Sequence, residues 1–192
     1  MVNLRSPGLW LFVGGAEMLF LVHLAEFLYP GYSVSQKYIS HLGVGPTNVR
    51  IVFTAALLIF GSVALVAAWL LRERPMKSRV WIFLGFSGVG AIGVGLFNMN
   101  DFSELHAVFA LMAFIFGNLA SIFSYKLVRS PLSWIFVVFG LIGLSALILF
   151  ASGTYLGIGA GGMERMIFYP PMFWALGFGA YMLAEQNQAP RT

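Results

Sequence analysis

Long apolar runs are the feature that most restricts how this 192-residue chain can fold. A helix needs about 20 apolar residues to cross a bilayer, and six stretches of the chain meet that requirement. They cover residues 8–29, 50–71, 79–99, 103–125, 131–152 and 165–184. Because the connections between them are short, consecutive helices should pack antiparallel. We therefore predict an all-α integral membrane bundle with six transmembrane helices, forming a single domain over residues 1–192.

The composition agrees with a membrane protein and excludes several kinds of chemistry. Hydrophobic residues make up 59% of the chain and charged residues 9%, whereas a soluble domain has roughly 25% charged residues. The absence of cysteine excludes disulfides, thiolate metal sites and cysteine nucleophiles. The first apolar run contains Glu17 and His23 and lacks a clear cleavage site. We therefore expect a retained helix there and not a signal peptide.

Lysine and arginine are distributed unevenly between the connections, and this distribution predicts the orientation of the helices. If the N-terminus is cytoplasmic, eight of these residues are cytoplasmic and three are on the outer side. The pattern predicts a multi-pass protein of the cell membrane with both termini in the cytoplasm. It also accounts for the net charge of +4 without a nucleic-acid partner. The cytoplasmic set is Arg5, Arg72, Arg74, Lys77, Arg79, Lys126, Arg129 and Arg191, and the outer set is Lys37, Arg50 and Arg165.

The first outer connection has the pattern of a short amphipathic helix. Within residues 31–43, apolar residues that include Tyr38 recur every four positions, and polar residues lie between them. This spacing predicts a helix lying at the membrane interface. The helix could serve as an anchor. It could also serve as a lid that presents Lys37, Ser40 and His41 to the outer mouth of the bundle.

A second polar cluster lies in the sequence NMNDFSELHAVF, residues 98–109. Asp101 precedes Glu104 by three residues, which is the spacing of a capping box at a helix start. Capping does not explain His106, which should lie inside the helix. The alternative is that His106 acts as an acid or base and is oriented by Asp101.

Three ionisable residues lie within the first apolar run. Glu17 falls near the middle of the membrane and should face the interior of the bundle. His23 and Glu26 are three residues apart and share a helix face. They could form a histidine–carboxylate pair near the outer mouth, or each could make an interhelical hydrogen bond.

Two further charged residues open the last helix. Glu164 suits a helix N-terminus, whereas Arg165 opposes the helix dipole there. Arg165 should therefore have a partner. The candidates are a carboxylate such as Asp101, an anionic ligand, or the headgroups of surrounding lipid.

Three segments of this chain resemble a known membrane-protein family. They are Tyr32 followed by YISHLG, GLFNMND with His106 just beyond it, and GMER at the start of the last helix. The chain resembles an uncharacterised archaeal and bacterial family, a domain of unknown function with about six spans. The resemblance implies the fold and the location of a site in the outer connections, and it implies no reaction.

The leading hypothesis is a polar extracytoplasmic site that binds, and chemically alters, a lipid headgroup or another anionic amphiphile. Lys37 and Arg165 would hold the anion, and His106 or His41 would act as acid or base beside Asp101. The sequence leaves catalysis and binding alone both open, and it identifies no cofactor. The other proposed ligand-binding residues are Tyr32, Tyr38, Ser40 and Glu164, and the buried polar residues are Glu17, His23 and Glu26.

Two alternatives remain open at this point. Zinc could be held by three histidines and two carboxylates, and a haem could lie between His23 and His106. Otherwise the protein could be a non-catalytic subunit, packed in a membrane complex or a homo-oligomer. A binding site requires the three outer connections to meet at one cavity, with Asp101 close to Arg165. The zinc ligands would be His23, His41, His106, Asp101 and Glu26.

Overall fold

Six α-helices account for most of the chain in the computed structural model, which describes residues 3–73 and 78–188. No strand occurs in these two ranges. Each predicted apolar run contains one helix, and two short 3-10 helices cover Ile39–Val44 and Ser124–Leu127. The prediction of an all-α bundle is confirmed for this part of the chain. The helices are α1 (Pro7–Leu28), α2 (Thr47–Arg72), α3 (Val80–Leu96), α4 (Ser103–Phe123), α5 (Leu132–Ala151) and α6 (Gly159–Gln188).

The length and apolar character of these helices fit a bilayer. Five of them are long and apolar enough to cross a membrane, and α3 is a shorter apolar helix of 17 residues. Large apolar side chains such as Phe20, Trp134 and Ile148 are exposed on the outside of the bundle. The chain is therefore an integral membrane protein. Arg74, Lys77 and Arg191, which contribute to the predicted orientation, lie outside the described residues.

The helices form a closed bundle. Each helix packs against the next one in the chain, α6 returns to α1, and α4 also contacts α6 across the bundle. Glycines allow the closest approaches. A Cβ atom at Gly8 on α1 would lie 2.7 Å from the carbonyl oxygen of Gly179 on α6, so this contact admits no larger residue. The α1–α6 and α4–α6 contacts position the polar residues described below.

Two consecutive prolines lie inside α6, and a polar side chain of α4 compensates for one of them. Pro171 has no N–H, so the carbonyl of Ile167 lacks its usual helical donor. The buried Asn118 donates from Nδ2 to this carbonyl at 3.3 Å and to the Phe114 carbonyl at 2.9 Å. Asn118 therefore joins α4 to α6 at a point where the helix would otherwise lose a hydrogen bond.

The connection between α1 and α2, residues 29–46, differs from the predicted amphipathic helix over 31–43. It has turns over 33–37 and then the 3-10 helix Ile39–Val44. A continuous α-helix would use each carbonyl for an N–H four residues later. Here the Ser35 carbonyl accepts instead from the N–H groups of Gly161 and Gly162 on α6. Docking on α6 thus replaces helical hydrogen bonds, and the location of this connection at the membrane interface stays a prediction.

Candidate functional site

The Arg165 side chain holds the first connection against α1 and α6. Arg165 is only 3% exposed, and its guanidinium forms an ion pair with the part-buried Glu26 on α1, with 2.5 Å between Nη2 and Oε1. Nε also donates to Glu26, at 3.2 Å. Nη1 donates to the carbonyls of Val34, Lys37 and Gly161 at 2.9, 3.2 and 2.8 Å.

Tyr32 completes the hydrogen bonding of this guanidinium. Its hydroxyl accepts from Arg165 Nη2 at 2.8 Å and donates to the Tyr38 carbonyl at 2.7 Å. Burial raises the pKa of Tyr32 to about 12, so the phenol stays neutral and can perform both roles. A guanidinium has five N–H donors, and all of those on Arg165 are engaged within the protein.

Arg165 has the carboxylate partner that the sequence suggested, but this partner is Glu26, and the prediction of Asp101 is wrong. Asp101 is exposed and accepts a hydrogen bond from Asn98 Nδ2 at 2.7 Å, whereas Arg165 pairs with Glu26. The dipole argument also loses its basis, because α6 begins at Gly159 and Arg165 lies beyond its first turn. The second predicted anion-binding residue, Lys37, has its Nζ 4.2 Å from the centre of the Tyr29 ring.

Glu164 is the neighbour of Arg165 in the chain but lies in different surroundings. Consecutive residues of an α-helix are rotated by about 100°, so the two side chains leave α6 in different directions. Glu164 is 4% exposed and accepts from the Ile39 N–H and, at 3.1 Å, from the Ser40 hydroxyl. It thus fixes the start of the 3-10 helix on α6.

His106 lies in the first turn of α4 and has one unpaired nitrogen. Its Nδ1 is 2.8 Å from the Phe97 carbonyl oxygen. A carbonyl only accepts hydrogen bonds, so Nδ1 carries the proton and Nε2 of the neutral ring is an acceptor. The side chain is 7% exposed, and Nε2 is buried with no hydrogen-bond partner among the described residues.

A cavity of about 390 Å³ brings several of these groups together, and we call it the His106 cavity. It lies between the first connection, α4, α5 and the start of α6. Residues in or next to all three connections that were predicted to be outer contribute to it, as the binding-site hypothesis required. Of the three residues predicted to meet around one cavity, Tyr38 lines it, whereas Asp101 and Arg165 do not. The polar lining residues are Tyr38, Ser40, Ser103, His106 and Glu164.

The predicted role of Asp101 at the start of α4 is also wrong. The N-cap residue is Phe102, and no side chain caps this helix end, so Asp101 and Glu104 do not form a capping box. Asn98 organises the turn instead, because its Oδ1 accepts from the N–H groups of Asn100 and Asp101 at 3.0 Å. Asp101 is therefore held by Asn98, and it does not orient His106, whose Nδ1 bonds to Phe97.

The predicted His23–Glu26 pair does not form. His23 is exposed, with Nδ1 donating to the Leu19 carbonyl at 2.7 Å and Nε2 accepting from the Tyr169 hydroxyl at 3.3 Å. Glu26 is taken by Arg165, which offers two charged hydrogen bonds where His23 could offer one. Glu17 has buried carboxyl oxygens without a partner among the described residues.

His41 belongs to the 3-10 helix and not to the cavity wall. Its Nδ1 accepts from the Tyr38 N–H at 2.9 Å, and its ring stacks on the Tyr38 ring at 5.0 Å. Burial, followed by the positive charge of Lys37, lowers the pKa of His41. The neutral ring is therefore the form that stabilises this turn.

The five residues of the zinc alternative have separate local partners. Within residues 3–73 and 78–188, no three His, Asp or Glu side chains form a group that could hold a metal ion. The haem alternative meets a related difficulty, because His23 contacts Tyr169 while His106 contacts the Phe97 carbonyl. The ligand types were suitable, but the helices present them to different surroundings.

Sequence reasoning missed a polar network in the membrane-embedded part of the bundle. Asn118 links α4 to α6, Ser121 donates to the Phe136 carbonyl at 2.7 Å, and Trp174 donates to Ser124 at 2.9 Å. The available signal was a run of polar residues within an apolar helix, which in a bilayer must find internal partners.

These observations define the class of protein as an integral membrane helical bundle with a polar cavity beside its interhelical connections. The chain belongs to the family described as Protein of unknown function (DUF998), which matches residues 12–181. The resemblance to an uncharacterised family is thus confirmed. No curated protein and no solved structure gives a match to this chain.

Proposed function

We propose that this protein binds a membrane amphiphile in the His106 cavity, with the polar headgroup against His106 and Glu164. The observation that carries the proposal is the buried Nε2 of His106, which has no hydrogen-bond partner among the described residues. A buried acceptor left unsatisfied costs about 1–3 kcal/mol. A ligand that donates a hydrogen bond to Nε2 would recover this free energy on binding.

The walls of the cavity support an amphiphile over a wholly polar ligand. Its polar groups are few, and much of its lining consists of apolar side chains of α4 and α5, including Leu111 and Leu147. Leu111 is also exposed on the outside of α4, where lipid would contact it. A hydrocarbon chain could therefore continue from the cavity into the surrounding bilayer.

The charges near the cavity change which headgroup is proposed. The anionic headgroup expected from the sequence depended on Lys37 and Arg165, and both cations are engaged elsewhere. No lysine or arginine among the described residues lines the His106 cavity. We therefore retain the amphiphile and the site, and not the anionic headgroup.

A substitution that removes one nitrogen tests this proposal. In His106→Asn, the side-chain amide can take the place of Nδ1 and still donate to the Phe97 carbonyl, while Nε2 is lost. Native mass spectrometry of the purified protein should detect a bound amphiphile on the parental chain. Its affinity should fall by about tenfold or more in His106→Asn, as expected for one lost hydrogen bond to a buried acceptor.

Asp101→Asn provides the matched control, because Asp101 is exposed and makes its side-chain contact with Asn98. This variant should retain the amphiphile at parental affinity. Equal retention by His106→Asn, in a protein with parental thermal stability, would contradict the proposed site. Retention of a partner protein with no amphiphile would favour the non-catalytic subunit.

We propose in addition that all six helices cross the membrane, with both termini cytoplasmic and the His106 cavity near the outer surface. The support is the excess of basic residues in the other connections. The short α3 rises about 25 Å at 1.5 Å per residue, and flanking apolar residues extend it. In the cysteine-free chain, Thr47→Cys should be labelled from outside and Ser78→Cys only from inside. The reverse pattern would place the cavity on the cytoplasmic side.

A further inference from the structure

We infer that the headgroup bound in the His106 cavity is an ammonium group, so that the ligand is a cationic amphiphile. This inference rests on the proposed function and deepens it by naming the class of ligand. It follows from the hydrogen-bonding roles of the lining groups, from their charge, and from the aromatic rings beside them.

The two lining groups with fixed hydrogen-bonding roles are both acceptors. In the neutral ring of His106, Nε2 is an acceptor because Nδ1 carries the proton that is donated to the Phe97 carbonyl. Glu164 accepts from the Ile39 N–H and the Ser40 hydroxyl, and each carboxylate oxygen can accept a further bond. The Ser40 proton is already directed at Glu164. A ligand in this cavity must therefore supply donors, and an ammonium group supplies them without an acceptor of its own.

The charge of the site also favours a cation. Glu164 is the acidic side chain of the lining, and an ammonium ligand beside it would favour its ionised form, because among the described lining residues no lysine or arginine is present. Arg165 is adjacent in sequence, but all of its donors are used by Glu26, Tyr32 and backbone carbonyls. Pairing of an ammonium with Glu164 would form a charge-assisted hydrogen bond, which is roughly twice as strong as a neutral one.

Aromatic rings line the same cavity and add attraction for a cation. Tyr38 and Phe150 both line it and pack edge to face with ring centres 5.3 Å apart, and Phe114 lines it as well. The faces of such rings attract an ammonium group within about 6 Å of the ring centre. An anionic headgroup at the face of such a ring would be repelled, because the ring quadrupole is negative there.

The test compares three probes of equal chain length on the parental protein in a non-ionic detergent: a primary alkylamine, the corresponding alcohol and the corresponding carboxylate. Binding is measured by native mass spectrometry and by the shift in the thermal unfolding midpoint. The amine should bind about tenfold more tightly than the alcohol, and the carboxylate should bind most weakly. The net charge of +4 opposes non-specific attraction of the amine, so this order would report the site.

A substitution at Glu164 adds a readout specific to the charge. Glu164→Gln keeps an acceptor for the Ile39 N–H and removes the carboxylate charge. It should weaken amine binding about tenfold and alcohol binding by less, because the amine loses an ion pair as well as a charge-assisted hydrogen bond. If this variant does not fold, the order of the three probes on the parental protein decides.

The outcomes separate the inference from the proposed function. Alcohol binding equal to or tighter than amine binding, or a preference for the carboxylate, would overturn the ammonium ligand and leave an amphiphile site at His106. Failure of all three probes to bind the parental protein would overturn both. Amine binding that is equal in the parental protein, Glu164→Gln and His106→Asn would also overturn the inference, because the amine would then be held elsewhere.

Discussion

Replacing Arg165 with methionine should be among the most destabilising single substitutions in this protein. The change removes the guanidinium and leaves the Glu26 carboxylate shielded from water without its ion-pair partner. It also removes the side-chain donor to the carbonyls of Val34 and Lys37 in the first connection. Removing one partner of a buried ion pair costs about 3–5 kcal/mol.

The expected change in thermal stability follows from this free energy. For a chain of this length, 1 kcal/mol corresponds to about 2–4 °C in the unfolding midpoint, so Arg165→Met should lower the midpoint by about 6–20 °C. Tryptophan fluorescence during heating, in one detergent for all variants, is the measurement. Hydrogen exchange should also accelerate in residues 31–44, because Arg165 joins that segment to α1 and α6.

The exposed ion pair of the same protein provides the matched control. Arg129 and Glu185 are 4.0 Å apart, and their side chains are 83% and 43% exposed. Exposed pairs contribute about 0–1 kcal/mol, so Arg129→Met should shift the midpoint by only a few degrees. Equal shifts in Arg129→Met and Arg165→Met would refute the reasoning, because burial and the number of hydrogen bonds would then have no measurable effect.

A double substitution separates the ion pair from the attachment of the first connection. Arg165→Met combined with Glu26→Leu removes both charges, so the penalty of an unpaired carboxylate disappears. The carbonyls of Val34 and Lys37 still lack their donor. The double variant should therefore recover part of the lost stability while hydrogen exchange in residues 31–44 stays fast. Full recovery of thermal stability and of slow hydrogen exchange in residues 31–44 would mean that the first connection is held by other contacts.

Three further predictions concern other parts of the bundle. Because its environment lowers the pKa of His41, the folded protein favours the neutral ring. The unfolding midpoint should therefore fall as the pH drops below about 6.5, and it should fall less in His41→Asn. The measurement compares thermal unfolding midpoints at about pH 7.5 and about pH 5.5. Asn118→Leu should lower the free energy of unfolding by about 1–3 kcal/mol. It should lower it much less in a Pro171→Ala background, where the alanine N–H can donate to the Ile167 carbonyl in place of Asn118. If the effects of the two substitutions simply add, Asn118 does not compensate for Pro171. Glu17→Met should raise the unfolding midpoint, since the carboxyl oxygens of Glu17 have no partner in residues 3–73 and 78–188. A lower midpoint would indicate a bound group there.

The six helices could be predicted from the sequence because a bilayer imposes a minimum apolar length on each of them. The ends of the helices were less well determined. The last apolar run was placed at 165–184, yet α6 begins at Gly159. Glu164 and Arg165 were placed at the start of the last helix, but both lie inside α6, where their side chains are buried in polar contacts. A hydropathy criterion treats each charged residue as exposed, so it does not detect a buried polar network.

For the candidate site too, the sequence identified the polar residues but not the groups that they contact. Tyr38, Ser40, His106 and Glu164 were selected as unusual polar residues in the outer connections, and all four line one cavity. Their partners could not be predicted, because partner choice depends on which helices are neighbours. Arg165 meets Glu26 because α6 packs against α1, and no local pattern in the sequence encodes that contact.

The rotation of α6 then decides the chemistry of the site. Glu164 and Arg165 are consecutive, so about 100° of helix rotation separates their side chains. With Arg165 directed at Glu26 and the first connection, Glu164 lines the His106 cavity. A rotation of α6 that exchanged their surroundings would have given the cavity a guanidinium and a preference for anions. The expectation of an anionic ligand relied on Lys37 and Arg165, whereas the cavity is lined by Glu164, the chain neighbour of Arg165.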